Sequence, residues 1–423
     1  MRDSTDVLPI VRRSASSRGR GLAAPLLLVA AVLASRAPAA HAETFNVACS
    51  VSALASVITT ANGNAEEDFV WLAPSCAYPL TATWIVQADA GNPLRVHGRG
   101  ATISGQNART AFVVNPGATL HLSDVRVRNG ATTGNGGAIR NQGTLTLQHS
   151  TVTGSSAQGY GGGLYNTGTA RLTRSTVSGN TGSVQGGGLD NAAGKLTLVD
   201  STVSGNTGLY GGGLHNDASA TLFNSTLFGN GGFIGGGILN DPGAKVLLSN
   251  VTISGNAISG SNGGGGIRNE GNLRIDNSII ANHESVYRDC YNSGTITALS
   301  SSLVEDGSCP FVGAFTGDPK LLGPKGVPQY FPLADGSPAI DAGQNPTCAG
   351  LDQRGVRRPI DGNDDGYLIC DVGSFEKGGA ACGLIGIEGL ALLPFVRWLR
   401  RGTRSRRDST AHGLRTRSSA RFV

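Results

Sequence analysis

The strongest constraint on this chain is a phrase that returns six times: a glycine run, an aliphatic residue, one variable residue, then asparagine. The copies end at Asn141, Asn166, Asn191, Asn216, Asn240 and Asn269, at spacings of 25, 25, 25, 24 and 29 residues. A period of this length, in a stretch rich in Gly, Asn, Ser, Thr and Val, predicts a solenoid that stacks one short unit per turn. Most chains of 423 residues split into two or three domains. A solenoid grows in one dimension and need not. The 64 glycines are about twice the usual share. They follow no G-X-Y period, which excludes collagen, and the regular apolar residues argue against disorder over residues 80–305.

One turn can be read from residues 168–191. Gly168–Leu172 and Thr176–Ser178 are short strands, and Gly186–Leu189 leads a third that ends at Asn191. Tight Gly/Asn turns join them, because both residues tolerate the left-handed backbone such corners need. Three such strands form one turn of a parallel β-helix and pair with their copies above and below. Three aliphatic columns would fill the inside. The first is Leu147, Leu172, Leu198, Leu222, Leu247 and Ile275. The second is Val152, Val177, Val203, Leu227, Ile253 and Ile279 or Ile280. The third is Ile139, Leu164, Leu189, Leu214, Ile238 and Ile267. The Asn column reads as a ladder of side-chain amides that holds register; the other reading is that it faces a ligand. A second column, Asn180, Asn206, Asn230, Asn256 and Asn282, reads the same way. With weaker copies on either side, eight to nine turns are expected, roughly 40 Å of stack.

The ends differ from the middle. Residues 1–42 hold six arginines against Asp3 and Asp6, and residues 383–423 hold nine against Glu388 and Asp408. The formal charge of +5 therefore hides an acidic middle, 19 basic against 25 acidic residues, which is no nucleic-acid binder. Arginines, an apolar run from Leu22 to Leu33 and Ala40-His41-Ala42 make a three-part secretory signal with cleavage after Ala42. At the other end an apolar stretch from Leu384 to Leu399 is followed by Arg400, Arg401, Arg404, Arg406 and Arg407. It is marginal as a membrane span, and the arginines would keep their side in the cytoplasm. Seven cysteines lie outside the glycine-rich repeats. Pairing of neighbours gives Cys49–Cys76, Cys290–Cys309 and Cys348–Cys370, in keeping with an oxidising compartment, though connectivity stays open. Cys382 is left over. There is no CxxC pair, and the scattered histidines give no zinc-site spacing.

Val51, Leu54, Val57, Ile58 and Ala61 recur at helical spacing, so Ser50–Asn62 is read as an amphipathic helix over the first turn. The strand Phe69–Leu72 follows it, and residues 305–377 are expected to close the far end. The N-terminal segments Phe45-Asn-Val-Ala-Cys49, Ala53-Leu54, Ala61-Asn62, Phe69–Leu72 and Tyr78-Pro-Leu-Thr81 resemble the CSLREA-type segment of bacterial surface β-helix proteins. Asp318-Pro319, Ser337–Gly343, Cys348, Asp352–Val356, Arg358-Pro359, Asp361–Gly366 and Cys370–Glu376 are similar to the choice-of-anchor Q domain. That resemblance implies a right-handed parallel β-helix on a bacterial surface and no established reaction. The order of Gly378–Leu384, hydrophobic stretch and arginines resembles C-terminal sorting signals of the GlyGly-CTERM, PEP-CTERM and MYXO-CTERM kind, which implies a processing protease at the inner membrane.

Two constellations carry candidate chemistry. Asp361, Asn363 and Asp365, with Gly366, repeat the first half of a calcium loop, oxygens at alternate positions before a turn glycine. Val372 stands where an EF-hand would place a bidentate Glu, so an EF-hand is excluded; Arg354, Arg357 and Arg358 are alternative partners for the carboxylates. The variable column, Arg140, Tyr165, Asp190, His215, Leu239 and Arg268, would set Asp190 beside His215, with Tyr165 next in line. These three are the candidate catalytic residues, weighed against a solvated outer face. The reading is an all-β, right-handed parallel β-helix: signal peptide 1–42, N-terminal cap 43–80, helix 81–305, C-terminal cap 306–377 and sorting segment 378–423. Its expected function is that of an exported scaffold for display, adhesion or glycan binding, at the cell surface or outer membrane of a Gram-negative bacterium or secreted. Its partners would be a surface glycan or protein, with membrane contact only through the C-terminal segment. The alternative is a polysaccharide lyase or glycoside hydrolase; fold alone does not decide it.

Overall fold

Four short strands, not three, make up each turn of the central repeats. In the turn that starts at Thr144 they are Thr144–Gln148, Thr151–Thr153, Ser156–Ala157 and Leu164–Asn166. Each pairs in parallel with its copy one turn on: Leu147 with Leu172, Val152 with Val177, Ala157 with Gly182, Leu164 with Leu189. The third strand has only two residues here, and three of its copies begin Thr-Gly or Gly-Gly, which looks like turn chemistry in sequence. The computed structural model describes residues 42–378 apart from 65, 90, 261, 262 and 284–287. The proposed signal peptide, sorting segment and Cys382 lie outside them.

Stacked, these strands make sheets of twenty, nine and six strands, a parallel β-helix of about ten turns. The stack is about 48 Å long at ~4.8 Å per turn. The additional turn lies at the N-terminal end. Asp68–Leu72, Ala77–Pro79 and Trp84–Val86 already wind as a turn, with Trp84 beneath Phe112 and Phe112 beneath Ile139. These turns lack the glycine phrase because fully buried Trp84, Tyr78 and Phe112 fill the interior that Leu, Ile and Val fill later.

The aliphatic columns form with one correction of a single residue and one alternative settled. Leu248, not Leu247, stands between Leu222 and Ile275. Ile280, not Ile279, follows Ile253 and leads to Val304. One residue of slip turns a side chain to the other face; Leu247 accordingly points outward and is half-buried.

Two Asn ladders and one Ser ladder run along the axis. Asn141, Asn166, Asn191, Asn216, Asn240 and Asn269 each donate from Nδ2 to Oδ1 of the next copy, at 2.7, 2.8, 2.7, 2.9 and 2.8 Å, and Asn269 reaches Asn292 at 2.6 Å. In the second ladder Asn180, Asn206 and Asn230 do the same, ending on Oδ1 of Asn256. Asn282 is not its next rung. Asn282 has φ +57 and takes the place of the left-handed glycine, and His283 takes the rung, 3.4 Å from Asn256. The serine ladder was not read from the sequence: the N–H groups of Ser150, Ser175 and Ser201 donate to Oγ of Ser175, Ser201 and Ser225 at 3.1, 3.1 and 3.2 Å. Before each serine stands a left-handed corner, His149, Arg174, Asp200 and Asn224. Arg174 and Asp200, on successive turns, form an ion pair there at 3.6 Å.

The glycine run has a packing cause. A Cβ on Gly188 would lie 2.8 Å from Asn206 Nδ2 and 2.9 Å from the Gly213 carbonyl. The second Asn ladder fits only because that wall carries no side chains.

Both ends are covered. The helix Val51–Ala61 is capped by Ser50, which accepts the Ala53 N–H, and it buries Leu54 and Ala61 against the first strands. Phe311 and the Cys290–Cys309 disulfide pack on the core at the far end. The other expected disulfides, Cys49–Cys76 and Cys348–Cys370, also form. Residues after Asp318 run back along the flank of the helix. Thr202 donates to the Gln329 carbonyl (2.6 Å), Thr226 to Gln353 Oε1 (2.6 Å), and Thr252 accepts the Ser374 N–H (3.0 Å). Corner residues Asn250 and Asn277 accept the N–H groups of Ala349 and Gln344. Hence the C-terminal cap covers one side of the turns as well as their end.

Candidate functional site

The variable column sits on the fourth strands, and parallel pairing puts its members in register. Arg140 lies beside Tyr165, Tyr165 beside Asp190, Asp190 beside His215, His215 beside Leu239 and Leu239 beside Arg268. The column is not a uniformly solvated face. Asp190 is 1% exposed, His215 0% and Leu239 5%; Arg140 is exposed, while Tyr165 and Arg268 are half-buried. The cover comes from the same turn. Gly186, Gly211 and Gly235 have φ of 59, 65 and 63°. A Cβ on them would lie 2.6 Å from Asp190 Cβ, 2.8 Å from His215 Cα and 3.0 Å from Leu239 Cβ. The first glycine of each phrase thus lets the backbone fold closely over the outward residue.

His215 is held at both ring nitrogens. Nδ1 lies 3.0 Å from Asp190 Oδ2, and Nε2 lies 3.2 Å from Asp241 Oδ2 and 3.7 Å from Asp217 Oδ1. Burial disfavours a charged ring, but the bonds to Asp190 and Asp241 outweigh it and raise the imidazole to about 10. Burial likewise pushes the Asp190 carboxyl up, against the pull of His215. Asp217, partly buried and in hydrogen-bond contact with Asp241, is pushed up to about 7. For Asp241 burial is outweighed by the bonds to His215 and Asp217, and its carboxyl falls below the usual range. Burial and the neighbouring Asp190 raise the Tyr165 phenol, whose ring stacks at 6.3 Å on Tyr160. The three expected residues are therefore together, but the Asp190–His215 pair is sealed.

Asp217 and Asp241 are the members that the sequence reading missed. Each follows a ladder asparagine, Asn216 and Asn240, one residue beyond the column. Only the copies at these two turns carry Asp there, which is a signal once the register is known.

Asp361, Asn363 and Asp365 form one exposed loop. Asp361 accepts the N–H groups of Asp365 (3.2 Å) and Gly366 (2.8 Å), Asn363 that of Asp365 (2.9 Å), and Asp365 that of Tyr367 (2.9 Å). The arginines do not pair with this loop. Arg354 binds Asp352 at 2.7 Å, and buried Arg358 lies 3.5 Å from Glu376.

An open groove runs across four turns of the six-stranded sheet, with a volume of about 590 Å³. Gly182, Gly208, Gly231 and Gly232 floor it, Thr181, Ser183, Thr207 and Ser259 bring hydroxyls, and Leu209 and Phe233 stand exposed at its side. None of its lining residues is charged.

No protein-family model matches the chain, and no curated protein matches it. Among solved structures it is similar to the crystal structure of pectate lyase Pel9A, at a TM-score of 0.48 and 14% identity, over 80% of this chain and 97% of that one. No helix among the described residues is long and apolar enough to cross a membrane.

Proposed function

We propose that the protein is an exported β-helix scaffold that binds an extended neutral glycan along the groove at Leu209 and Phe233. The groove carries the reading. Its repeat is the turn rise of about 4.8 Å, close to the length of one sugar in an extended chain. Hydroxyls offer hydrogen bonds, Phe233 offers a face for the C–H side of a pyranose, and the lack of charge favours neutral over acidic polymers. Three disulfides support export. The choice-of-anchor Q resemblance and the basic, hydrophobic ends support display at a Gram-negative surface after processing at the inner membrane. The loop of Asp361, Asn363 and Asp365 is carried as a Ca²⁺ site, because carboxylates that accept one N–H per oxygen keep lone pairs for a cation.

The scaffold reading is favoured over a lyase or hydrolase because a general base must reach substrate, and the ring of His215 is closed off by two carboxylates and the backbone. Binding of the full chain to neutral and uronic-acid polymers is the test. Phe233→Ala should weaken neutral-glycan binding while leaving the melting temperature unchanged. No binding, or binding indifferent to Phe233→Ala, would overturn the groove assignment. New reducing or unsaturated ends that vanish in Asp190→Ala would overturn the scaffold in favour of an enzyme.

A further inference from the structure

We infer that His215, Asp217 and Asp241 form a mononuclear site for a divalent transition-metal ion of the Zn²⁺ class, clamping successive turns of the β-helix. No residue is shared with the groove, so the two assignments stand or fall separately.

The donor geometry fits such an ion. One ligand atom from each residue lies within 4.8 Å of the other two. From His215 Nε2 the distances are 3.2 Å to Asp241 and 3.7 Å to Asp217. Ligands 2.0–2.1 Å from a tetrahedral Zn²⁺ stand about 3.3–3.4 Å apart. The donors come from neighbouring turns: His215 from Leu214–Asn216, Asp217 just after it, and Asp241 just after Ile238–Asn240.

The surroundings of the ring point the same way. Metal-binding histidines usually donate their other N–H to a carboxylate, which fixes tautomer and ring orientation. Asp190, on Leu189–Asn191 and 1% exposed, does this at Nδ1. The lone pair of a neutral ring then lies at Nε2, facing Asp217 and Asp241.

The charge is unbalanced without a cation. Three carboxylates surround one imidazole, and ligand oxygens of two of them, Asp217 and Asp241, lie within 4.8 Å of each other. The second oxygen of Asp190 is buried with no hydrogen-bond partner. The sealed carboxylate of Asp190 is costly unless paired, whereas those of Asp217 and Asp241 keep partial access to solvent. Arg268 acts on Asp241 but is engaged by Glu270 at 2.6 Å. With three carboxylates and a protonated ring the group carries −2, and a dication in place of the Nε2 proton would bring it to −1.

The donor set also selects the class. Ca²⁺ and Mg²⁺ take oxygen ligands, whereas one imidazole with two carboxylates suits a borderline ion. The ion has a route in, because the side chains of Asp217 and Asp241 are 35% and 28% exposed while His215 is sealed.

The test uses the untagged full chain stripped with chelator, titrated with ZnCl₂ and separately with CaCl₂ in a calorimeter. One Zn²⁺ should bind per chain, about tenfold or more weaker in Asp217→Asn and in Asp241→Asn. Asp190→Asn, a change to a positioning residue, should weaken it by about 10–100-fold. These half-exposed aspartates are chosen over His215→Ala, which would empty a sealed position; circular dichroism checks that each variant folds. X-ray absorption of the bound ion should show a histidine in a nitrogen/oxygen shell. The site is overturned if stripped wild type binds no Zn²⁺, or if both variants bind it undiminished. The metal class is overturned if Asp217→Asn reduces Ca²⁺ affinity and leaves Zn²⁺ affinity unchanged.

Discussion

The side-chain amide of Asn166 donates to Oδ1 of Asn191 at 2.8 Å, and both residues are sealed from solvent. Each rung therefore hands one hydrogen bond to the next turn. Asn191 passes it on to Asn216 at 2.7 Å and also donates to the Gly194 and Ser219 carbonyls at 3.2 and 3.1 Å. The ladder stops at Asn141, whose Oδ1 has no partner because Val114 stands in the preceding turn.

Asn191→Ala should be among the most destabilising single changes in the repeat. It orphans the Asn216 oxygen, takes one of three acceptors from the Asn166 amide, and removes the side-chain donor to the Gly194 and Ser219 carbonyls. An unsatisfied buried polar group costs about 1–3 kcal/mol, so a loss of roughly 2–5 kcal/mol is expected, read as a lower urea midpoint. A loss below that of an exposed control such as Gln148→Ala would mean that the ladder does not hold register.

The two kinds of glycine in each turn should respond differently to alanine. Gly188→Ala drives a methyl into Asn206 and the Gly213 carbonyl at 2.8–2.9 Å, and overpacking of this kind costs about 1–3 kcal/mol or more. Gly205 has φ +61 and open space around it. Its substitution meets only the left-handed strain of about 1–2 kcal/mol. Melting of the two variants should rank Gly188→Ala as clearly the worse; equal losses would remove the packing explanation for the glycine run.

Much of this was legible in the sequence because a solenoid repeats its own evidence. Each column could be checked against several copies, so the Asn ladder, the second-strand valines and the capping helix were readable. What failed was local register. Leu247 beside Leu248, and Asn282 beside His283, offer two residues of suitable chemistry at one position, and only pairing decides between them. The first turns were missed because bulky aromatics replaced the repeat signature. Burial of Asp190 and His215 was missed because exposure was inferred from strand alternation alone. The backbone that covers them belongs to the glycine phrase itself, and Asp217 and Asp241 join them only through the stacking of turns. Residues 318–377 gave no periodic signal, so their path along the flank could not be read.

The loop of Asp361, Asn363 and Asp365 makes a calcium prediction. Ca²⁺ should raise the melting temperature of the full chain, and a chelator that spares Zn²⁺ should reverse the gain. Asp365→Ala should abolish the response with little change in the calcium-free melting temperature, since the loop is exposed. An identical melting temperature with and without Ca²⁺ would leave the three side chains as acceptors for the turn's own N–H groups.

The flank should become more stable as the solution is acidified from pH 8 to pH 5.5. Asp352, Asp371 and Glu376 are all buried there, facing the guanidiniums of Arg354 and Arg358. Three carboxylates against two cations leave one negative charge over. Burial raises Glu376 to about 7 from an ordinary 4.5, and Asp371 to about 6. A carboxyl whose pKa is higher folded than unfolded takes up its proton more readily in the fold. Its contribution is complete below the unfolded value and is lost as pH rises through the folded one. Calorimetry should therefore show the melting temperature falling by a few degrees between pH 5.5 and pH 8. Glu376→Gln, neutral throughout, should flatten that slope, while it keeps an acceptor for one of the Ile360 and Asp371 N–H groups. A wild-type slope of the opposite sign, or one that Glu376→Gln leaves intact, would show that the extra charge is balanced by some other group.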